Sequence, residues 1–122
     1  MPMINIAEAQ GKVLDWLCAI ALRLDLYGPA DFLEQRNHHV KHGEYVYRWS
    51  SSHAQAGELM DSARISTIYT NASTKHPWWA CVGPCDDDTI GYSGATRLEA
   101  GIRCFVIHAL GEEYEVPQEL LS

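Results

Sequence analysis

The residues from Gly94 to Leu120 constrain the fold most, because they carry a whole helix with its start, its stop and a tail. Leu98, Ile102, Phe105, Val106 and Ala109 recur at helical spacing and predict one buried stripe on a helix over Ala95–Leu110. Gly111 stands where a left-handed cap ends such a helix. Glu113–Val116 then reads as a short edge strand, and Pro117 opens a final turn.

The remaining segments supply partners for that helix. Asn5 as N-cap with Glu8 three residues later predicts a first helix over Ala7–Leu24. Val13, Leu14, Leu17, Ala21 and Leu24 make its apolar face, and Trp16, Cys18 and Ile20 extend that face almost all round. Such a helix is covered on two sides or contributes to an interface. Tyr27-Gly28-Pro29 ends it, Ala30–Asn37 can form a short helix, and His38–Gly43 reads as a polar loop. Glu44–Trp49 alternates and is aromatic, which suits a strand. Ser52 with Gln55 is a capping box for a helix over His53–Ala63, with Ala56, Leu59, Met60 and Ala63 inward. Ile65–Tyr69 and Pro77–Val82 are strands joined through turn material at Asn71–Lys75, an antiparallel hairpin. Gly83–Ser93 reads as a loop. Helices and strands mix without regular alternation. With 122 residues the expectation is one α+β domain, a small mainly antiparallel sheet with helices packed on it.

Charge narrows the partners. Nine basic residues against 16 acidic give a net charge of −7. Direct nucleic-acid binding needs clustered Lys and Arg and is not expected; an acidic surface meeting a basic partner is allowed. The longest apolar run, Leu17–Leu22, is far short of the roughly 20 residues that cross a bilayer. The N-terminus lacks a basic region leading into an apolar stretch, so the expected location is the cytoplasm, without a membrane partner. Cys18, Cys81, Cys85 and Cys104 are then expected as reduced thiols, Cys18 and Cys104 in the core.

Four patterns invite a chemical reading. His38-His39-x-x-His42 lacks the acid of a zinc-protease helix and is followed by Gly43; Cys81 and Cys85 lack a second ligand pair. Asp86-Asp87-Asp88 lacks the spacing of a calcium loop and reads as an exposed acidic surface for a partner. Ser50-Ser51-Ser52 beside His53 lacks a nucleophile elbow, and adjacent residues seldom form a nucleophile–base pair. The helix start at Ser50–Gln55, with Ser51, Ser52, His53 and Gln55, is, however, a place for a phosphate or carboxylate, which makes binding of a small anionic ligand or nucleotide the alternative function. Trp78 and Trp79 are adjacent on a strand and must point to opposite faces. If helices cover one face only, one tryptophan meets solvent, a ligand or another chain, with Tyr45, Tyr47 and Trp49 adding to that surface. Arg97 and Arg103 pair at the surface, or, if buried, need a carboxylate such as Asp15 or Glu115. No catalytic residue, metal or cofactor is expected.

The pattern Gly94-x-Thr96-x-Leu98-x-Ala100-x-x-Arg103-x-x-Val106, then Leu110-Gly111, then Val116-Pro117-x-x-Leu120, resembles the phage NinX family. Trp78-Trp79-Ala80 with Gly83-Pro84, Ser50–Gly57 and Leu14-Asp15-Trp16 resemble its upstream elements. Ser52 and His53 stand where the family commonly has Asp and Trp, and residues 26–45 look like an insertion. The resemblance implies a phage or prophage accessory protein in the cytoplasm of a bacterial host, and it implies no reaction. The expected partner is a host or phage protein or nucleoprotein complex, and a counter-defence inhibitor is one concrete version. Helix apolarity and the tryptophan pair add the expectation of a homodimer with Trp16, Trp78 or Trp79 near its interface.

Overall fold

A computed structural model describes residues 2–22, 40–42, 45–47, 49–70, 75–83, 90–116 and 118–121. Along the chain run β1 (Met3–Asn5), α1 (Gly11–Ala21), β2 (Val40–His42), β3 (Tyr45–Tyr47), α2 (His53–Ser62), β4 (Ile65–Tyr69), β5 (Trp78–Val82), β6 (Gly91–Gly94), α3 (Arg97–Leu110) and β7 (Glu113–Glu115). Pairing is antiparallel throughout: a three-stranded sheet β4-β5-β6, a β2-β3 hairpin, and a β1-β7 ribbon that joins the two ends of the chain. The α+β class read from the sequence holds, with helices packed on small antiparallel sheets.

The C-terminal helix α3 sits at the centre. Its start is fixed by Thr96, whose hydroxyl accepts from the Glu99 N–H at 3.1 Å. Leu98, Ile102 and Val106 are buried as the stripe predicts, but Phe105 is half-buried and Ala109 exposed. Burial instead extends to Ala100, Gly101, Arg103, Cys104 and Ile107, because the sheet lies on one side of the helix and α1 and α2 on others. Each fully buried aliphatic side chain here contributes about 1.5–3 kcal/mol. At the far end the Gly111 N–H bonds the Ile107 carbonyl at 2.8 Å; its φ of +96° suits glycine, but its ψ of −174° is not that of a left-handed helical cap. Gly94 is needed for contact: a Cβ there would lie 2.5 Å from the Ala100 nitrogen.

Three segments differ from the sequence reading. The first helix does not begin at Ala7. Asn5 accepts from the Ala7 N–H, a single 3-10 turn covers Ile6–Glu8, and the α-helix starts at Gly11, whose φ is +57°. The break leaves the Ala9 carbonyl outside helical bonding, where Arg103 takes it at 2.7 Å. Residues 40–42, read as loop, form β2 against β3. Residues 91–94, also read as loop or helix start, form β6. The proposed helix over Ala30–Asn37 and the turn at residues 71–74 lie outside the described residues.

Leu14 to Ala19 are buried without interruption, so α1 is covered on more than one side, by α3 and by Tyr114 of β7 among others. Cys18, Cys81 and Cys104 are buried thiols. No helix among the described residues is long and apolar enough to cross a membrane.

Candidate functional site

Three places on this frame hold chemistry or exposed apolar area. The first is the turn ahead of α2. Asp15, 3% exposed on α1, accepts from the Ser50 N–H at 2.8 Å and from the Ser50 hydroxyl at 3.1 Å. Burial raises the Asp15 carboxyl from its usual 3.8 to about 6, partly opposed by the two Ser50 bonds. Two residues on, the Ser52 hydroxyl caps α2 by accepting from the Gln55 N–H at 3.3 Å, the bond that the capping pattern predicts. Ser51 and His53 are exposed beside it and Gln55 is half-buried. Trp49 is 3% exposed in the core, so it is not available to an aromatic surface. The side chain of Tyr47 lies outside the described residues.

The second place is the outer face of the three-stranded sheet. The register puts Ile65, Thr67, Tyr69, Trp78, Ala80, Val82, Tyr92 and Gly94 toward the α3 side, where Tyr69 and Val82 remain exposed at the margin. Arg97 on that helix donates to the Thr67 hydroxyl at 2.9 Å, which fixes this as the covered face. Ser66, Ile68, Trp79, Cys81, Gly91 and Ser93 share the opposite face. There Ile68 is 43% and Trp79 37% exposed, paired directly across β4 and β5. The Trp79 indole lies over Gly91, the strand partner of Cys81, and a Cβ on Gly91 would collide with its Nε1. The two tryptophans thus diverge as expected. Trp78, half-buried, packs toward the core and edge-to-face with Tyr69 at 5.3 Å.

The third place is the β1-β7 ribbon and its support. Arg103, 3% exposed, donates to the Ala9 carbonyl at 2.7 Å and the Ser93 carbonyl at 2.9 Å, and pairs with Glu99 at 2.9 Å. The carboxylate partner is therefore Glu99 on its own helix, not Asp15 or Glu115. Burial lowers the Arg103 pKa, against the opposing pull of Glu99 and Glu8. Glu99 also accepts from the Ala95 N–H, so one side chain serves both the helix start and the buried cation. Next to the ribbon, Trp16 packs on Tyr114 with ring centroids 6.4 Å apart. Among the described residues its buried Nε1–H has no hydrogen-bond partner, a state that costs about 1–3 kcal/mol. Trp16, Met3, Glu113, Tyr114 and Glu115 line a groove of about 400 Å3.

Asp15, Ile68, Gly91 and the β7 glutamates are parts of these places that the sequence did not mark as site residues. Only Ile68 carried a usable signal, through its position opposite Trp79 in the hairpin. Asp86, Asp87 and Asp88, like His38, His39 and Cys85, lie outside the described residues. Among the described residues no group of three or more His, Cys, Asp or Glu side chains is placed to hold a metal.

A family model described as Bacteriophage P22, NinX matches residues 5–109 of the chain. The match takes in the sheet and nearly all of α3, and it ends before the Leu110-Gly111 and Val116–Leu120 elements of the resemblance. No curated protein sequence matches the chain.

Proposed function

Because the chain belongs to the bacteriophage P22 NinX family, we propose that it is an accessory protein of a phage or prophage that acts by binding a host or phage macromolecule, and that it does so as a homodimer. The observation that carries this reading is the pair Ile68 and Trp79, large apolar side chains left outside on a regular strand pair. Apolar side chains paired across an uncovered sheet face suit contact with a second molecule, and the two-fold dimer is the commonest oligomer. A dimer joined there leaves the acidic residues of the rest of the surface to meet a partner. The net charge of −7 suits a basic surface on that partner. Its most specific form is a counter-defence inhibitor in the bacterial cytoplasm, whose acidic surface occupies the basic nucleic-acid groove of a defence complex.

A second reading places a phosphate or carboxylate at the start of α2. The Ser52 cap and the exposed His53 favour it. The Asp15 carboxylate, bonded to Ser50 two residues before the cap, opposes an incoming anion, and the macromolecular reading is therefore preferred.

Affinity purification from phage-infected lysate tests the preferred reading. Its expected result is a stoichiometric partner released as salt rises from about 0.1 M to 1 M, over which the Debye length falls from about 10 to 3 Å. A phosphate-dependent rise in melting temperature, with no partner captured, would replace it by the second.

A further inference from the structure

The β1-β7 ribbon has an open edge. Ile4 stands opposite Tyr114. The Ile6 N–H bonds the Glu112 carbonyl and the Val116 N–H bonds the Pro2 carbonyl, each at 2.9 Å. These bonds fix the phase of the ladder: the backbone groups of residues 112, 114 and 116 turn toward β1, and those of Glu113 and Glu115 turn away from it. Among the described residues no strand lies on that side. Glu113 and Glu115 are exposed, and their side chains share one face, two residues apart. The groove lined by Trp16 and Tyr114 runs beside all three residues of β7, and Trp16 is 7% exposed there.

We propose that this edge receives an extended basic segment of a partner protein, which adds as a third strand beside β7. The inference rests on the reading of the chain as a binding protein and names the chemistry of its partner. The incoming backbone pairs with the N–H and C=O groups of Glu113 and Glu115, the usual mode of strand addition. Lys or Arg at alternate positions of the segment faces the two carboxylates, since opposite charges across a strand pair attract. The residue between them is apolar and, on the opposite face of the segment, lies beside Tyr114 and Trp16. A second copy of this chain is a poor occupant. A two-fold pair of β7 strands sets Glu113 against Glu115 twice, and like charges directly opposite are destabilising. The carboxylates that exclude self-pairing select a basic strand.

The test is a titration of the full chain, labelled with 15N, with an amidated peptide of alternating Lys and Val, followed by amide and indole resonances. The expected result is saturable shifts at residues 3–5, 113–116 and the Trp16 indole, at least tenfold weaker binding in Glu113→Lys/Glu115→Lys, and none by a Glu-Val peptide. Both substituted residues are exposed, and an unchanged circular dichroism spectrum verifies the fold of the variant. No saturable shift at millimolar peptide, shifts elsewhere, or equal binding by the charge-reversed variant overturns the proposal. Shifts at residues 113–116 that follow protein concentration alone also overturn it, by making a second copy the occupant. Partner capture from lysate that survives in the charge-reversed variant sinks this site while leaving the binding reading intact. Loss of capture by the wild-type chain sinks the reading itself.

Discussion

At the scale of single residues, the buried acid and base among the described residues, Asp15 and Arg103, do different work. Arg103 ties the Ala9 turn, β6 and α3 together through two carbonyls and Glu99. Arg103→Met removes all three contacts and leaves Glu99, itself 13% exposed, without its cation; the expected loss in denaturant melts is about 3–5 kcal/mol. Asp15 is instead a net burden when charged. Its folded pKa of about 6 lies above the usual 3.8, so the folded state holds the proton more tightly and stability falls as pH rises through that window. The difference corresponds to a penalty on the order of 3 kcal/mol above pH 6. Asp15→Asn keeps an acceptor for the Ser50 N–H and removes the titration. Melts at several pH values between 4 and 7 should show the variant gaining on the wild type as pH rises; a constant difference would contradict the assignment. Neither role was legible in the sequence. One acceptor for Arg103, the Ala9 carbonyl, lies 94 residues away, and Asp15 sits at an apolar helix position where only its bond to Ser50 explains it.

At the scale of elements, legibility followed local signals. The Ser52 cap, the Ile65–Tyr69 strand and the helix α3 were read nearly to the residue, because capping side chains and apolar periodicity are encoded within a few positions, although the Thr96 cap that starts α3 was taken as part of the helix. The strand β6 was missed because Gly91-Tyr92-Ser93-Gly94 has no strand propensity of its own. Its glycines answer to distant groups: Gly91 makes room for the Trp79 indole on the outer face, and Gly94 admits Ala100 of α3 on the inner face. The start of α1 was misplaced for the same reason, since the Ala9 carbonyl is claimed by Arg103. Gly94→Ala must push α3 off the sheet and is expected to cost 1–3 kcal/mol or more, as overpacking does. Gly91→Ala meets the indole instead. It should move Trp79 while leaving the α3 contact alone, which a shifted Trp79 indole resonance with an unchanged far-ultraviolet spectrum would register. A similar argument holds for α3 itself. Ile102 is fully buried, and Ile102→Ala should cost about 2–5 kcal/mol; a loss under about half a kcal/mol, well below that range, would place the helix outside the core.

At the scale of the whole molecule, the α+β class and the divergence of Trp78 and Trp79 were legible in the sequence, but not which of the two faces outward. That choice depends on where α3 lies, and the Arg97–Thr67 bond settles it in favour of Trp79. The molecule then presents two distinct surfaces. One is the apolar outer face around Ile68 and Trp79; the other is the acidic open edge at Glu113 and Glu115. With the first proposed to join two copies and the second to meet a basic partner, reversing charge at the edge should leave the dimer intact. The claim on which this division of labour depends is that the outer sheet face is an interface. Light scattering of the wild type and of Trp79→Glu across a concentration series tests it most directly. Twice the 13.7 kDa chain mass is expected for the wild type and the single-chain mass for the variant. A monodisperse 13.7 kDa wild-type protein at high micromolar concentration would contradict it.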